Sequence, residues 1–300
     1  MTIAEALAAL PPIRAGKAAP HALAERRAMT AESLKSGMWR SAPALAEAKV
    51  DEIVLAGHRA LAFRATGKPL ATVVHLHGGG FRQGAPELIA GYAAMLAAAC
   101  DVDVVCPAYG LAPERPFPAG LHDALAVVSA LIDAGAANLI LAGDSAGGGI
   151  AASAAAICAA HRVPLAGLVL HSPWLDVTVS SECFERNAAT DPLFSRQSAE
   201  EAAALYLQGH PATDPLASSL MGDVDGLPPV FLSVGSGEVL ACDSWKYKER
   251  LEAQGIPVQL CEVDGMEHVA VTRGMELTGS QEVFAATRAF IRGLASLPAR

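Results

Sequence analysis

The sequence lacks a basic patch and any long apolar run. It contains 22 lysine and arginine residues against 31 aspartates and glutamates, which gives a formal net charge of −9. Such an acidic chain repels a phosphate backbone, so nucleic acid is not expected as a partner. No cluster of lysine and arginine indicates binding to an anionic membrane surface. Because no run of about 18 uncharged apolar residues occurs, stable membrane insertion is not expected either.

The N-terminal segment also lacks the features of a secretory signal peptide. Such a peptide has a basic start followed by an apolar run, whereas Glu5 comes early here and Pro11 and Pro12 end the apolar stretch. We therefore expect a soluble, cytoplasmic protein. The cysteines form no Cys-x-x-Cys pair, so no zinc site is expected, and in a reducing compartment they should be free thiols. The six are Cys100, Cys106, Cys158, Cys183, Cys242 and Cys261.

The sequence does contain enough apolar material for a sizeable core, at 52% of its residues. From Ile53 onward, strand-like and helix-like segments alternate. The strand-like segments are continuous apolar runs, as in Ala71–Leu76, Leu139–Ala142 and Val258–Val263. Continuous runs are typical of a parallel sheet that helices cover on both faces. The sequence therefore predicts an α/β fold with a mostly parallel central sheet.

Two regions interrupt this alternation. Residues 1–50 and 179–220 contain helical stretches and no strong strand signal. We therefore expect an α/β core formed by residues 51–178 and 221–300, with one helical addition at the N-terminus and another inserted in the core. The helical stretches predicted in these additions are Ala4–Leu10, Pro20–Ser36, Ala42–Lys49, Ser181–Asn187 and Ser195–Gln208.

One five-residue segment has the pattern of a nucleophile turn. Residues 143–147 read Gly-Asp-Ser-Ala-Gly and match Gly-x-Ser-x-Gly, between strand-like Leu139–Ala142 and helix-like Ala146–Ala160. Glycine on either side relieves crowding in a sharp strand-to-helix turn. The positive end of the helix would face developing negative charge. The pattern predicts Ser145 as a nucleophile, and the alternative is an ordinary glycine-rich turn.

A glycine triplet follows the strand-like run that ends at Leu76. His77 precedes Gly78, Gly79 and Gly80, whose backbone N–H groups could approach a ligand closely. Acyl transfer needs such donors aimed at the oxyanion, and the N–H of Ala146 would complete the set. A phosphate-binding loop is the alternative, but neither its Lys-Ser pair nor a Gly-x-Gly-x-x-Gly pattern is present. His77 is expected to orient the loop.

A serine nucleophile needs a general base, and the order nucleophile, acid, base along the chain restricts the choice. His171 follows Ser145 too closely to leave room for an acid. His210 lies in the inserted helical region, whereas His268 lies in a loop after the strand-like Val258–Val263. Because such a base belongs in a loop at the carboxyl end of a strand, we predict His268.

The acid should lie in the loop after the preceding strand, Val230–Val234. Glu238 and Asp243 are the candidates in this loop. Glu238 is nearer to the strand end, from which a carboxylate can reach the histidine and fix its tautomer. Asp243 immediately precedes a predicted helix and fits an N-cap or first-turn carboxylate. We favour Glu238 and keep Asp243 as the alternative.

Taken together, these motifs resemble the hormone-sensitive-lipase-like esterases, the family IV bacterial lipolytic enzymes of the α/β-hydrolase fold. The matching stretches occur in the family's order along almost the whole chain. They are HGGG at 77–80, YGLAPE at 109–114, GDSAGG at 143–148, SPWLD at 172–176, Asp191-Pro192, GSGEVLACDS at 235–244 and His268.

The resemblance implies a Ser145–Glu238–His268 triad and an oxyanion hole in which Ala146 acts with either Gly79 and Gly80 or Gly78 and Gly79. Many relatives have Asp-Pro-Leu at the acid position, where this chain has Glu-Val-Leu. The two helical additions would form the cap over the acyl pocket. Residues expected on the cap side of the pocket are Leu34, Met38, Trp39, Phe194, Leu205 and Tyr206.

The chemistry expected is a two-step acyl transfer that needs no cofactor or metal. The substrate expected is a small neutral ester with a short-to-medium acyl group. A lactonase, an amidase, a deacetylase or an acyltransferase would share the triad, since fold and triad do not determine the substrate. A receptor that binds a small ligand without hydrolysing it would lack the base, and His268 argues against it. The resemblance also favours a homodimer.

Overall fold

The computed structural model describes residues 3–136 and 138–295, built around an eight-stranded sheet. The strands are β1 (Val50–Leu55), β2 (His58–Phe63), β3 (Thr72–Leu76), β4 (Asp103–Pro107), β5 (Leu139–Asp144), β6 (Gly167–His171), β7 (Val230–Gly235) and β8 (Val258–Val263). The sheet order is β1-β2-β4-β3-β5-β6-β7-β8. Strand β2 runs antiparallel to both β1 and β4, and all other neighbours are parallel.

Helices cover both faces of the sheet, as the sequence predicted. The helices are α1 (Ile3–Ala9), α2 (His21–Lys35), α3 (Ala90–Cys100), α4 (Ala119–Asp133), α5 (Ala146–Ala160), α6 (Cys183–Arg186), α7 (Arg196–Leu207), α8 (Ala241–Ala253), α9 (Ala270–Arg273) and α10 (Ser280–Ala295). On one face, α4, α5 and α8 contribute side chains such as Leu125, Ile150 and Leu251 to the larger hydrophobic cluster. On the other face, α3 and α10 contribute Leu96 and Ile291 to the second cluster.

The strand register places five loops at one edge of the sheet. Leu76 pairs with Gly143, and Asp144 pairs with His171, so the ends of β3, β5 and β6 are level. On the other side of β6, Gly235 at the end of β7 pairs with Val263 at the end of β8. Because the carboxyl ends of parallel strands share one edge, the loops after these five strands converge there.

The N-terminal region differs in part from the sequence prediction. The helix expected over Ala42–Lys49 is absent, and two short 3₁₀ turns (Met38–Ser41 and Pro43–Leu45) occupy the region instead. The first strand begins at Val50, earlier than Ile53, because Asp51 and Glu52 belong to an edge strand that pairs with β2. An edge strand tolerates charged residues, so the pattern of apolar residues did not show where this strand begins.

The N-terminal addition divides into two parts. Helix α1 buries Ile3 and Ala6 in the hydrophobic cluster of α4 and α5, so it belongs to the layer on that face of the sheet. Helix α2, like the region of α7 in the inserted addition, instead contributes residues to the cleft in front of the sheet edge. The division into core and cap segments stays a prediction, and its extreme ends at residues 1–2 and 296–300 lie outside the described residues.

The prediction that all six cysteines are free thiols was wrong for two of them. Cys183 in α6 and Cys242 in α8 form a disulfide across 59 residues of sequence. Two cysteines so far apart in the chain carry no local signature, because only the packing of α6 against α8 brings them together. Cys100, Cys106, Cys158 and Cys261 are free.

Candidate active site

Ser145 lies in the sharp turn between β5 and α5. Its φ of +51° and ψ of −122° are sparsely populated by residues other than glycine, so the turn is strained. The flanking glycines make the turn sterically feasible. A Cβ at Gly147 would lie 2.0 Å from the Leu76 carbonyl oxygen, and one at Gly143 would lie 2.4 Å from the Gly147 oxygen. The sequence motif therefore corresponds to a real close approach of backbone segments.

A hydrogen-bonded chain joins Ser145, His268 and Glu238. The Nε2 of His268 lies 2.9 Å from Ser145 Oγ, and its Nδ1 lies 2.7 Å from Glu238 Oε2. Each of the three residues is less than 9% exposed. The carboxylate on Nδ1 fixes the tautomer that leaves Nε2 free to accept the serine proton.

The alternative acid, Asp243, lies elsewhere. Its Oδ2 accepts hydrogen bonds from the backbone amides of Leu175 and Asp176, at 2.8 Å and 3.0 Å. As the sequence allowed, Asp243 falls in the first turn of α8, but its side chain does not cap that helix. Burial raises the pKa of Asp243 to about 7, although the two amides act in the opposite direction.

Two further groups hold Glu238 in place, and neither was predicted. Its Oε1 accepts a hydrogen bond from the Ser172 hydroxyl at 2.8 Å and another from the Gly235 amide at 2.6 Å. The Ser172 hydroxyl in turn accepts from the Val269 amide at 3.2 Å, beside His268. Ser172 thereby connects the acid loop and the base loop. The SPWLD motif contained this residue, but nothing in the sequence indicated its contact.

Opposing effects set the pKa of His268. Burial lowers it, but the hydrogen bond and negative charge of Glu238, together with the charges of Asp191 and Asp144, raise it by more, so the pKa of His268 lies above its ordinary value. A raised pKa makes the imidazole a stronger base toward Ser145. The ring of Phe194 stacks on the imidazole, with centroids 5.8 Å apart and planes 11° from parallel.

The three loop glycines are not equivalent. The Gly78 N–H donates to Asp144 Oδ2 at 3.0 Å and is therefore not free for a ligand. Among the described residues, the N–H groups of Gly79 and Gly80 donate to no protein acceptor. Ala146 is the first residue of α5, so its N–H has no intrahelical acceptor. Of the two combinations expected, Gly79 and Gly80 with Ala146 is the one whose N–H groups all lack a protein acceptor among the described residues.

Buried polar contacts hold the glycine loop against the serine turn. The Nδ1 of His77 donates to the Gly78 carbonyl at 2.7 Å, and burial lowers the pKa of His77, which favours the neutral ring. The Tyr109 hydroxyl donates to the His77 carbonyl. Asp144 Oδ1 pairs with Nε2 of His75 at 3.0 Å, inside the sheet. The part played by His75 had no sequence signal, because it lies within an apolar strand.

A cleft of about 530 Å³ opens onto Ser145 and His268. Of the six residues expected to line it, only Phe194 does. Met38 is 71% exposed, and Trp39 packs against the cluster of α3. Tyr206 is buried and stacks on Phe81 at 3.9 Å. Leu34 and Leu205 are half-buried and do not line the cleft either.

Which face of a cap helix points to the cleft depends on how the helix docks, and the sequence does not specify that. Residues outside the glycine loop, the serine turn and His268 that line the cleft and were not predicted are Arg26, Met29, Thr30, Arg82, Gln83, Gly84, Leu88, Ile89, Leu193, Ser198, Val269, Thr272 and Arg273.

Within residues 3–136 and 138–295, no group of three or more His, Cys, Asp or Glu side chains is arranged to hold a metal ion. In the same part of the chain, no helix combines the length and the hydropathy needed to cross a bilayer.

Comparison with known proteins places this site in a family. Residues 73–272 match the model of the α/β-hydrolase fold family, and the chain belongs to that family. Within it, the protein is a carboxylesterase similar to the hormone-sensitive-lipase group, as the motifs indicated. An acetyl-hydrolase of Streptomyces hygroscopicus is 35% identical over 201 residues, which cover 66% of this chain and 67% of the relative. An esterase of Acinetobacter venetianus is 32% identical over 222 residues, or 73% of each chain.

Solved structures agree with this placement. An esterase from the bacterial hormone-sensitive lipase family superposes with a TM-score of 0.84 at 30% identity, and the match covers 98% of each chain. EstE5, in a crystal soaked with p-nitrophenyl butyrate, superposes with a TM-score of 0.82 at 29% identity, over 98% of this chain and 97% of that one.

Proposed function

We propose that this carboxylesterase cleaves short-to-medium acyl esters through an acyl-enzyme on Ser145. The observation that carries the proposal is the continuous hydrogen-bonded chain from Glu238 through His268 to Ser145 Oγ, at 2.7 Å and 2.9 Å. His268 takes the serine proton as Oγ attacks the ester carbonyl. It then protonates the leaving alcohol, and in the second step it activates the water that releases the acid.

The oxyanion of each tetrahedral intermediate would be held by the amides of Gly79, Gly80 and Ala146. This assignment is supported because none of these three N–H groups donates a hydrogen bond to another described residue, whereas the Gly78 N–H donates to Asp144. Donors fixed before the reaction need no reorganisation as charge develops, and one such donor contributes about 10²-fold or more to the rate. No step of this proposal calls on a cofactor or metal.

The first test is hydrolysis of p-nitrophenyl esters from acetyl to dodecanoyl, with Ser145→Ala as the control. A cleft of about 530 Å³ lies within the range typical of small-ligand sites, so it can hold an ester of this size, and the series of chain lengths tests which part of it the acyl group uses. We expect kcat/KM to peak among the short acyl groups and to fall by about 10³-fold or more in Ser145→Ala. A folded wild-type protein that hydrolyses no chain length, or a variant that keeps its turnover, would contradict the proposal.

A further inference from the structure

The cleft in front of Ser145 has a charge opposite to that of the protein. Three arginines line it, Arg26, Arg82 and Arg273. The one carboxylate among its lining residues is Asp144, and both of its oxygens are bonded, to Gly78 and His75. A chain with a net charge of −9 therefore has a cationic lining at its reaction site.

Arg82 is the most unusual of these arginines because its side chain is only 10% exposed. Its Nη2 donates to the Ser198 hydroxyl at 3.0 Å and to the Ser198 carbonyl at 3.3 Å. Arg82 also forms an ion pair with Glu201, but the 3.7 Å between Nη1 and the carboxylate oxygen exceeds hydrogen-bond distance, and the Glu201 side chain is 57% exposed. A solvent-exposed partner at this distance offsets only part of the hydration that a buried guanidinium loses.

One free donor of Arg82 lies beside the glycine loop. Its Nε is 3.7 Å from the position that a Cβ would occupy at Gly80. Neither Nε nor Nη1 has a hydrogen-bonded acceptor among the described residues. Both paired edges of a guanidinium include Nη2, which Ser198 already occupies, so Nε offers a single charge-assisted donor to one oxygen of an anion. This free N–H of Arg82 therefore lies next to the place where the ester carbonyl must be held.

Arg26 brings a second charge to the same cleft from α2. Its side chain forms no ion pair or hydrogen bond with a described residue, in contrast to the adjacent Arg27, which is bonded to Glu114. Both arginines line the cleft, and burial and the positive charge of Arg26 lower the pKa of Arg82, while Glu201 acts in the opposite direction. Arg273 differs from both, since it is paired with Glu267 at 2.8 Å.

We propose that Arg82 and Arg26 form a carboxylate-binding subsite beside the glycine loop, so that the enzyme prefers esters that also carry a carboxylate. The proposal rests on the proposed function of Ser145, and it replaces the expectation of a neutral ester with an anionic one. A carboxylate bound there would accept a hydrogen bond from Nε of Arg82 and offset the positive charges of the two arginines. The carboxylate could be borne by the acyl part or by the alcohol part of the ester.

The test compares matched charged and neutral esters by titrating released acid at constant pH. Monomethyl glutarate against dimethyl glutarate places the carboxylate on the acyl part. Carboxymethyl butyrate against its methyl ester places it on the alcohol part. For one of the two pairs we expect kcat/KM to favour the charged ester by about ten-fold at low salt. The favoured pair identifies the part of the substrate that reaches the subsite.

Three variants and one salt series separate the subsite from general effects. Arg82→Met and Arg26→Gln should each reduce the charged-to-neutral ratio several-fold, measured within the same variant. Arg288→Gln removes an exposed positive charge on α10, away from the cleft, and should leave the ratio and the activity unchanged. If Arg82→Met does not fold, the wild-type ratio still tests the idea, since it should fall as KCl rises to about 1 M.

A wild-type ratio at or below one for both pairs would overturn the subsite. A ratio that survives in both Arg82→Met and Arg26→Gln would overturn it as well. In either case, turnover of the neutral esters would leave the proposed function intact. Failure to cleave any ester, charged or neutral, would instead be a failure of the proposed function.

Discussion

Glu238 is the residue on which the reactivity of His268 depends most. Its charge and hydrogen bond raise the pKa of His268 against the effect of burial. The base must be neutral to accept a proton, so kcat/KM should rise with pH through a midpoint above 6.5, the ordinary value for histidine. Glu238→Gln should move that midpoint to lower pH and reduce the plateau by about 10²-fold or more, because the tautomer is no longer fixed.

Asp243→Asn is the matched control for Glu238→Gln. Both changes replace a buried carboxylate by its amide in the same stretch of chain. An amide oxygen at position 243 can still accept from Leu175 and Asp176, so the pH profile should match that of the wild type and activity should stay within a few-fold. Loss of activity in Asp243→Asn with retention in Glu238→Gln would show that the acid is misassigned.

At the residue scale, the sequence predicted the residues whose positions follow from their order along the chain and from the ends of the strands. Ser145, His268 and Glu238 each follow a strand closely, and the structure brings the three together. Gly78 could not be distinguished from Gly79, because the difference depends on an Asp144 oxygen that reaches across two loops. The role of Ser172 was hidden for the same reason, since its hydroxyl bonds a residue 66 positions away.

At the scale of elements, the parallel strands were predictable because a short, continuous apolar run between turn residues is typical of a buried strand. Strand β8 and helix α5 have the predicted bounds, Val258–Val263 and Ala146–Ala160. The N-terminal turns around Pro43 were not predictable from helix propensity, because they depend on contacts with α3. The docking of α2 and α7 was unpredictable in the same way, and with it the identity of the cleft residues.

The disulfide between α6 and α8 gives a prediction at this scale. Cys242 lies four residues after Glu238, so the bond fastens the start of α8 to the segment that follows β6. Reduction should lower the melting temperature by several degrees, because the tether restricts the unfolded chain. Thermal melts with and without dithiothreitol measure this effect.

Thiol titration provides the control for that melt. The denatured, unreduced protein should expose four thiols, and the reduced protein six. A Cys183→Ser, Cys242→Ser double variant should melt at the same temperature with and without reductant. Six thiols before reduction would show that the disulfide does not form.

At the scale of the whole molecule, the net charge and the site charge have opposite signs. A charge of −9 describes the average surface and repels anions at long range. The cleft is a local exception, because three arginines from separate parts of the chain line it, Arg26, Arg82 and Arg273. The acidic composition argued against a nucleic acid partner. It could not predict the charge of the cleft, because the cleft forms only when α2 docks over the edge of the sheet.

The proposed reaction requires Ser145 to be the nucleophile, and covalent trapping tests this requirement directly. The protein is treated with diethyl p-nitrophenyl phosphate, and the intact mass and the modified peptide are then determined. We expect one diethylphosphoryl group per chain, attached to Ser145, and none on Ser145→Ala under the same conditions. Modification of another residue, or equal labelling of the variant, would contradict the proposed mechanism.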